Sequence, residues 1–253
     1  MKWQEPMRRR VTGAHLKWMA IVIMLLDHIG AVILEPILLN TVITSANYDS
    51  MQQLYRVDMV LRSIGRFAFP VFCFLLVEGF YHTRNRAKYL RNLLIFAVIS
   101  EVPFNLAIAG ELLSFQYQNV FFTLAAGFGA IWIFDLFRHK VFLADSQRLI
   151  YPFLQVASVF ATALAAEWLH TDYGAVGVAV IFVLYIMHDK PVLSAVAAWG
   201  ILSLTNGLEV YCFPFIFAVM LYNGQRGRQA KYFFYVFYPV HLLLLVMIKM
   251  VLF

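Results

Sequence analysis

Long apolar runs, each closed by a short polar or basic stretch, organise this sequence from one end to the other. Nine of them read as membrane-crossing helices: Leu16–Leu39, Arg62–Tyr81, Tyr89–Ala109, Asn119–Phe137, Leu149–His170, Gly174–Met187, Val192–Thr205, Leu208–Tyr222 and Tyr232–Phe253. The runs are continuous, so the pattern predicts helices and not the alternating strands of a membrane β-barrel. Runs six to eight fall short of the roughly 17 residues a full crossing takes, which predicts that one is broken or re-entrant. The segment Asn40–Leu61 is the one sizeable external interruption and predicts a short amphipathic helix.

The charges between the runs are sorted. Basic residues precede the first run (Lys2, Arg8, Arg9, Arg10, Lys17) and then fill every second loop. These are Arg84, Arg86, Lys88 and Arg91; Arg138, Lys140 and Arg148; Lys190; and Arg226, Arg228 and Lys231, which brings 16 of the 20 Lys and Arg to one side. The positive-inside rule then predicts a cytoplasmic N-terminus and an external C-terminus. The alternation also requires an even number of crossings between the loops at 138–148 and 223–232, so four fits there and three does not. The expected architecture is an all-α polytopic membrane protein of about nine transmembrane helices, a single bundle and single domain over 1–253, in the plasma membrane.

Composition adds two exclusions. At 62% hydrophobic and 17% aromatic, the chain has too much apolar surface for a soluble domain. The net charge of +6 would point to nucleic acid in a soluble protein, but here the cytoplasmic loops account for it and no nucleic-acid partner is expected. Cys73 and Cys212 lie in apolar runs, which argues against a disulfide framework. Arg8-Arg9-Arg10 imitates the charged start of a signal peptide, yet the run behind it is too long and lacks a small-residue cleavage site.

Chemistry concentrates where ionisable groups enter the apolar runs, because such groups are costly in hydrocarbon and face a protected interior. Asp27-His28 sits near the middle of the first run. A carboxylate beside an imidazole is a common way to build a general base. Adjacent helical positions diverge by about 100°, so Asp27 is also free to pair with a neighbouring helix while His28 faces a cavity. Glu35, seven residues beyond His28, is expected on the same face. The bland alternative for the pair is a structural hydrogen bond between helices.

Arg62 and Arg66 share a face of the second run, and Glu101 and Asn105 share one on the third, where Pro103 loosens the helix. An Arg66–Glu101 ion pair is one reading. The other gives Arg66, Arg62, Glu101, Asn105 and Glu35 to a substrate. His82, Arg84, Arg86 and Lys88 crowd one basic loop, which orientation alone explains but which also suits a polyanionic ligand such as the phosphates of coenzyme A. His241, at the start of the last run, is as well suited to packing as to function. Walker, GxSxG, HExxH, CxxC and dinucleotide-binding patterns are absent. His15, His139, His170 and His188 are scattered at helix ends, so no metal is expected.

Several of these stretches resemble the TraX-like family. They are Leu16-Lys-Trp-Met-Ala-Ile-Val-Ile-Met-Leu-Leu-Asp-His-Ile-Gly30, Ile64-Gly-Arg-Phe-Ala-Phe-Pro-Val-Phe-Cys-Phe-Leu-Leu-Val-Glu-Gly-Phe-Tyr-His-Thr-Arg84, Gln118-Asn-Val-Phe-Phe-Thr123, Asp172-Tyr-Gly-Ala-Val-Gly177 and Tyr238-Pro-Val-His-Leu242. The resemblance implies an integral membrane acyltransferase. The family's named member acetylates the N-terminus of F-type pilin, and the wider superfamily moves acetyl groups from cytosolic acetyl-CoA to acceptors across the membrane. Catalysis there is attributed to an early-helix histidine, which His28 matches.

The expected function is acetyl or short acyl transfer from acetyl-CoA to an external amine or hydroxyl: a peptide or pilin N-terminus, a glycan or a small amine. His28 is the base or acyl carrier, Asp27 supports it, and Arg66 or a backbone amide near Gly30 meets the oxyanion. The cofactor-binding set is Arg84, Arg86, Lys88, His82 and His241. A homodimer in the bilayer is compatible with this reading. A proton-coupled transporter using the same buried groups is the rival, and a non-catalytic partner of a pilus or secretion assembly is the third.

Overall fold

In a computed structural model, residues 10–138, 147–228 and 231–252 are described; Lys2, Arg8, Arg9, His139 and Lys140 lie outside them. The described residues form helices and no strand beyond two isolated bridges, Val11 with Tyr222 and Gln118 with Thr171. The elements are α1 (Gly13–Ile29), a π-helical turn (Gly30–Leu34), α2 (Glu35–Asn40), α3 (Tyr48–Gly65), α4 (Ala68–His82), α5 (Arg86–Ile108) and α6 (Val120–Arg138). They continue with α7 (Gln147–Trp168), α8 (Gly174–Ile186), α9 (Pro191–Ser203), a 3-10 segment (Gly207–Cys212), α10 (Pro214–Leu221) and α11 (Lys231–Leu252).

All nine apolar runs are helical, and six helices are long and apolar enough to cross a membrane, as in a multi-pass membrane protein. Two expectations change. Asn40–Leu61 does not hold a short separate helix: α3 is 18 residues long and leads almost directly into α4, so one helical stretch covers Tyr48–His82. Of the three short runs, the last is two-part, 3-10 through Cys212 and α-helical from Pro214.

Local chemistry explains the boundaries. Thr12 caps α1, its hydroxyl accepting from the His15 amide while its own amide donates to the His15 ring. The π turn lies just ahead of Pro36, whose ring would crowd the carbonyl four residues back in a regular helix. The break between α3 and α4, at Arg66 and Phe67, likewise lies four residues ahead of Pro70.

The chain divides into two compact units. The first comprises Met1–Leu75 and Asp189–Phe253, and its N-terminal arm is stitched to the segment after α10 by Val11 N–H to Leu221 O at 3.1 Å and Asn223 N–H to Val11 O at 2.9 Å. The second comprises Leu76–His188. There α6, α7 and α8 pack closely on small side chains, with Ala130, Ala166 and Val178 at the contact. A β-carbon at Gly127 would displace the Ile181 side chain, so glycine here favours the close approach of α8 to α6.

Candidate active site

In the first unit, two arginines four residues apart, Arg62 on α3 and Arg66 at its C-terminal cap, draw in carboxylates from three other elements. Arg62 Nη1 lies 2.7 Å from Asp27 Oδ2 on α1, and its Nε 2.9 Å from Glu35 Oε1 on α2. Arg66 Nη2 lies 2.6 Å from Asp27 Oδ1, and its Nη1 3.1 Å from Glu209 Oε1 on the 3-10 segment. Arg66 Nε donates at 3.1 Å to the Arg62 carbonyl, so its planar fork is held at three points. Glycines allow this closeness. A β-carbon at Gly65 would fall on the Asp27 carboxylate, and one at Gly30 would meet Asp58 Oδ1 at 2.7 Å and the Arg62 side chain at 2.9 Å. Asp58 is itself buried, and its Oδ1 has no hydrogen-bond partner among the described residues.

Asp27 and His28 therefore diverge. Asp27 uses both oxygens on the arginines, and no described hydrogen bond joins it to the imidazole; the expectation that it orients His28 is corrected. That place is taken by His241 of α11, whose Nε2 lies 2.9 Å from His28 Nδ1. His241 Nδ1 is in turn 2.8 Å from the Phe237 carbonyl on its own helix. The ring is 3% exposed, stacks on Phe237 at 4.8 Å and meets the edge of Tyr238. His241 thus lies beside His28 in the first unit.

Glu35 is the second correction. Eight residues separate it from Asp27, which in a regular helix leaves the two about 80° apart. The π turn inserts one residue, subtracts about 100° and brings Glu35 nearly into line with Asp27. Glu35 moves off the His28 face by the same rotation.

The remaining predicted residues belong to the second unit. Glu101 Oε2 accepts from Asn119 Nδ2 at 2.5 Å, and the same nitrogen reaches the Ala97 carbonyl at 2.8 Å. Asn105 is buried on the same helix. Arg66 is bound to Asp27 and Glu209 in the first unit, and Glu101 to Asn119 in the second. Arg86 is anchored though half-exposed: Nη1 lies 2.6 Å from Asp135 Oδ2 and the guanidinium 3.9 Å over the Phe80 ring. Tyr185 donates to the other Asp135 oxygen at 2.7 Å. Arg84 and Lys88 are exposed. His82 donates from Nδ1 to the Glu78 carbonyl at 2.8 Å, and the Glu78 carboxylate meets His188 at 2.8 Å.

Sequence reasoning missed Glu209, Asp58 and Asp135. Asp58 had a visible signal, the spacing Asp58–Arg62–Arg66 at four-residue intervals on one helix. Glu209 had a weaker one, an acid in an Asn-Gly-Leu-Glu break between short apolar runs, which charge sorting assigns to the surface.

This arrangement can position an imidazole against a rigid, charged scaffold inside an apolar helical unit. A family model described as TraX protein matches residues 12–249. The chain is also 32% identical to the "Probable fimbrial assembly protein FimC, serogroup H1" of Dichelobacter nodosus, over 93% of its own length and 94% of that protein's. No solved structure matches. With nearly the whole chain matched by the family model and by this relative, the protein belongs to the TraX family.

Proposed function

We propose that the protein is an integral membrane acyltransferase of the plasma membrane, with its N-terminus in the cytoplasm. It moves an acetyl group from cytosolic acetyl-CoA to an amine or hydroxyl acceptor on the external side. The observation that carries this reading is the placement of His28: midway along the apolar stretch Gly13–Asn40 of a TraX-family chain, engaged through Nδ1, beside a locked arginine–carboxylate cluster. His28 Nε2 takes the proton of the acceptor N–H or O–H as the acceptor atom bonds to the acetyl carbon. The C–S bond of the thioester breaks, and the departing sulfur leaves as the free thiol once it receives that proton.

Asp27 makes no hydrogen bond to the ring among the described residues and holds Arg62 and Arg66 where a developing oxyanion could be met. Among the basic-loop residues, Arg84 and Lys88 are the cations available to the donor's phosphates, since Arg86 is tied to Asp135. The relative's name supports an acceptor among fimbrial components.

The test is thiol release from acetyl-CoA by the purified protein in nanodiscs, with and without a small amine. The proposal expects amine-dependent release that His28→Ala abolishes. A proton-coupled transporter or a purely structural partner predicts no release by the wild type.

A further inference from the structure

Which ring nitrogen of His28 carries its proton decides whether the imidazole can serve as a base, and the contacts of His241 answer that. A carbonyl oxygen can only accept, so the 2.8 Å contact to Phe237 requires a proton on His241 Nδ1. In neutral His241 the other nitrogen, Nε2, is then a bare lone pair. Its 2.9 Å contact with His28 Nδ1 is a hydrogen bond only if His28 Nδ1 carries the proton. That leaves Nε2 of neutral His28 as the proton-accepting atom.

We infer that His241 is a positioning residue that fixes His28 in the Nδ1–H tautomer and shares the charge once Nε2 is protonated. The inference rests on the acyltransferase reading. Its occupant is unusual for the position: a neutral imidazole stands where a catalytic triad places a carboxylate, the nearby carboxylate of Asp27 being taken by Arg62 and Arg66. When His28 becomes an imidazolium, its Nδ1–H donates to a neutral acceptor as a charge-assisted bond, about twice as strong as a neutral one. The His241 ring is held ready by the Phe237 stack, the Tyr238 edge and burial, so little reorganisation accompanies the transfer.

Two measurements test this. The first needs no turnover: solid-state NMR of the full chain in lipid, with 15N-labelled histidine and His28 assigned by difference against His28→Gln. The expected neutral tautomer is Nδ1–H, shifting toward a mixture in His241→Leu. An Nε2–H tautomer in the wild type, or one unmoved by His241→Leu, overturns the inference.

The second is kinetic. His241→Leu should lower kcat by about 10²–10⁴-fold, the range for a mis-set general base, with KM for acetyl-CoA within about threefold. His241→Gln, whose side-chain oxygen can accept near the lost Nε2, should recover at least about tenfold over His241→Leu. Equal loss in both variants, or unchanged kcat in His241→Leu, overturns the role. A wild type that releases no thiol defeats the acyltransferase reading instead, and the NMR experiment then decides the tautomer alone.

Discussion

Arg66 makes three side-chain hydrogen bonds from a site only 13% exposed, and replacing it isolates one question: what a buried carboxylate costs when the cation facing it is removed. In Arg66→Met, Asp27 keeps Arg62, but Glu209, 4% exposed, loses its guanidinium. Removing one partner of a buried ion pair costs about 3–5 kcal/mol, because the remaining charge stays desolvated. At about 2–4 °C per kcal/mol for a chain of this size, the apparent Tm should fall by about 6–20 °C.

Arg62→Met is the internal control. There Asp27 keeps Arg66, Glu35 is 40% exposed and can be hydrated, and buried Asp58 loses a neighbouring cation but no direct ion pair, so the cost should stay below about 3 kcal/mol. Adding Glu209→Gln to Arg66→Met removes the buried charge that faced Arg66 and should restore about 1–3 kcal/mol. The assay is heating in nanodiscs at one scan rate, following tryptophan fluorescence and the monomer fraction that survives. Unfolding of such proteins is commonly irreversible, so the ranking of variants is what counts. If Arg66→Met is no less stable than Arg62→Met, or if Glu209→Gln deepens the loss, the cluster is not held as described.

Gly65→Ala should cost about 1–3 kcal/mol by driving a methyl into the Asp27 carboxylate, whereas Gly129→Ala, which meets open space on α6, should be neutral or stabilising by up to about 1 kcal/mol in the same melts. Arg84→Ala with Lys88→Ala should raise KM for acetyl-CoA by about 3- to 30-fold at low salt, with the difference fading near 0.5 M salt and Tm unchanged. An unchanged KM would remove these cations from the donor site. Orientation can be read in a Cys73→Ser, Cys212→Ser background, both native thiols being buried. An impermeant maleimide should label Ser45→Cys in intact cells and Ala87→Cys only after permeabilisation; the opposite pattern reverses the proposed topology.

The legible part of the structure is the part that periodicity and charge report. Continuous apolar runs located all nine helical stretches, and the i, i+4 spacing of Arg62 and Arg66 placed both guanidiniums on one face, where they do act together. Divergence of Asp27 from His28 was implicit in 3.6 residues per turn. Periodicity says nothing about which distant helix meets a face, so neither Glu209 nor His241 could be paired with its partner, and a loop rule based on Lys and Arg assigned Glu209 to the surface.

The misplacements share a cause. Three irregularities of the site are each followed by a proline, Pro36 behind the π turn, Pro70 behind the break at Arg66 and Pro214 behind the 3-10 segment that bears Glu209, and Pro239 lies within α11 two residues before His241. A proline frees a carbonyl and shifts the rotation of the residues beyond it, which a regular helical wheel cannot represent. In an apolar bundle freed backbone groups need partners, and here a side chain of the site supplies one. Arg66 Nε takes the Arg62 carbonyl at 3.1 Å just ahead of the α3–α4 break. The same defects that hide the site from periodicity let short, charged side chains from four elements converge within an otherwise apolar unit.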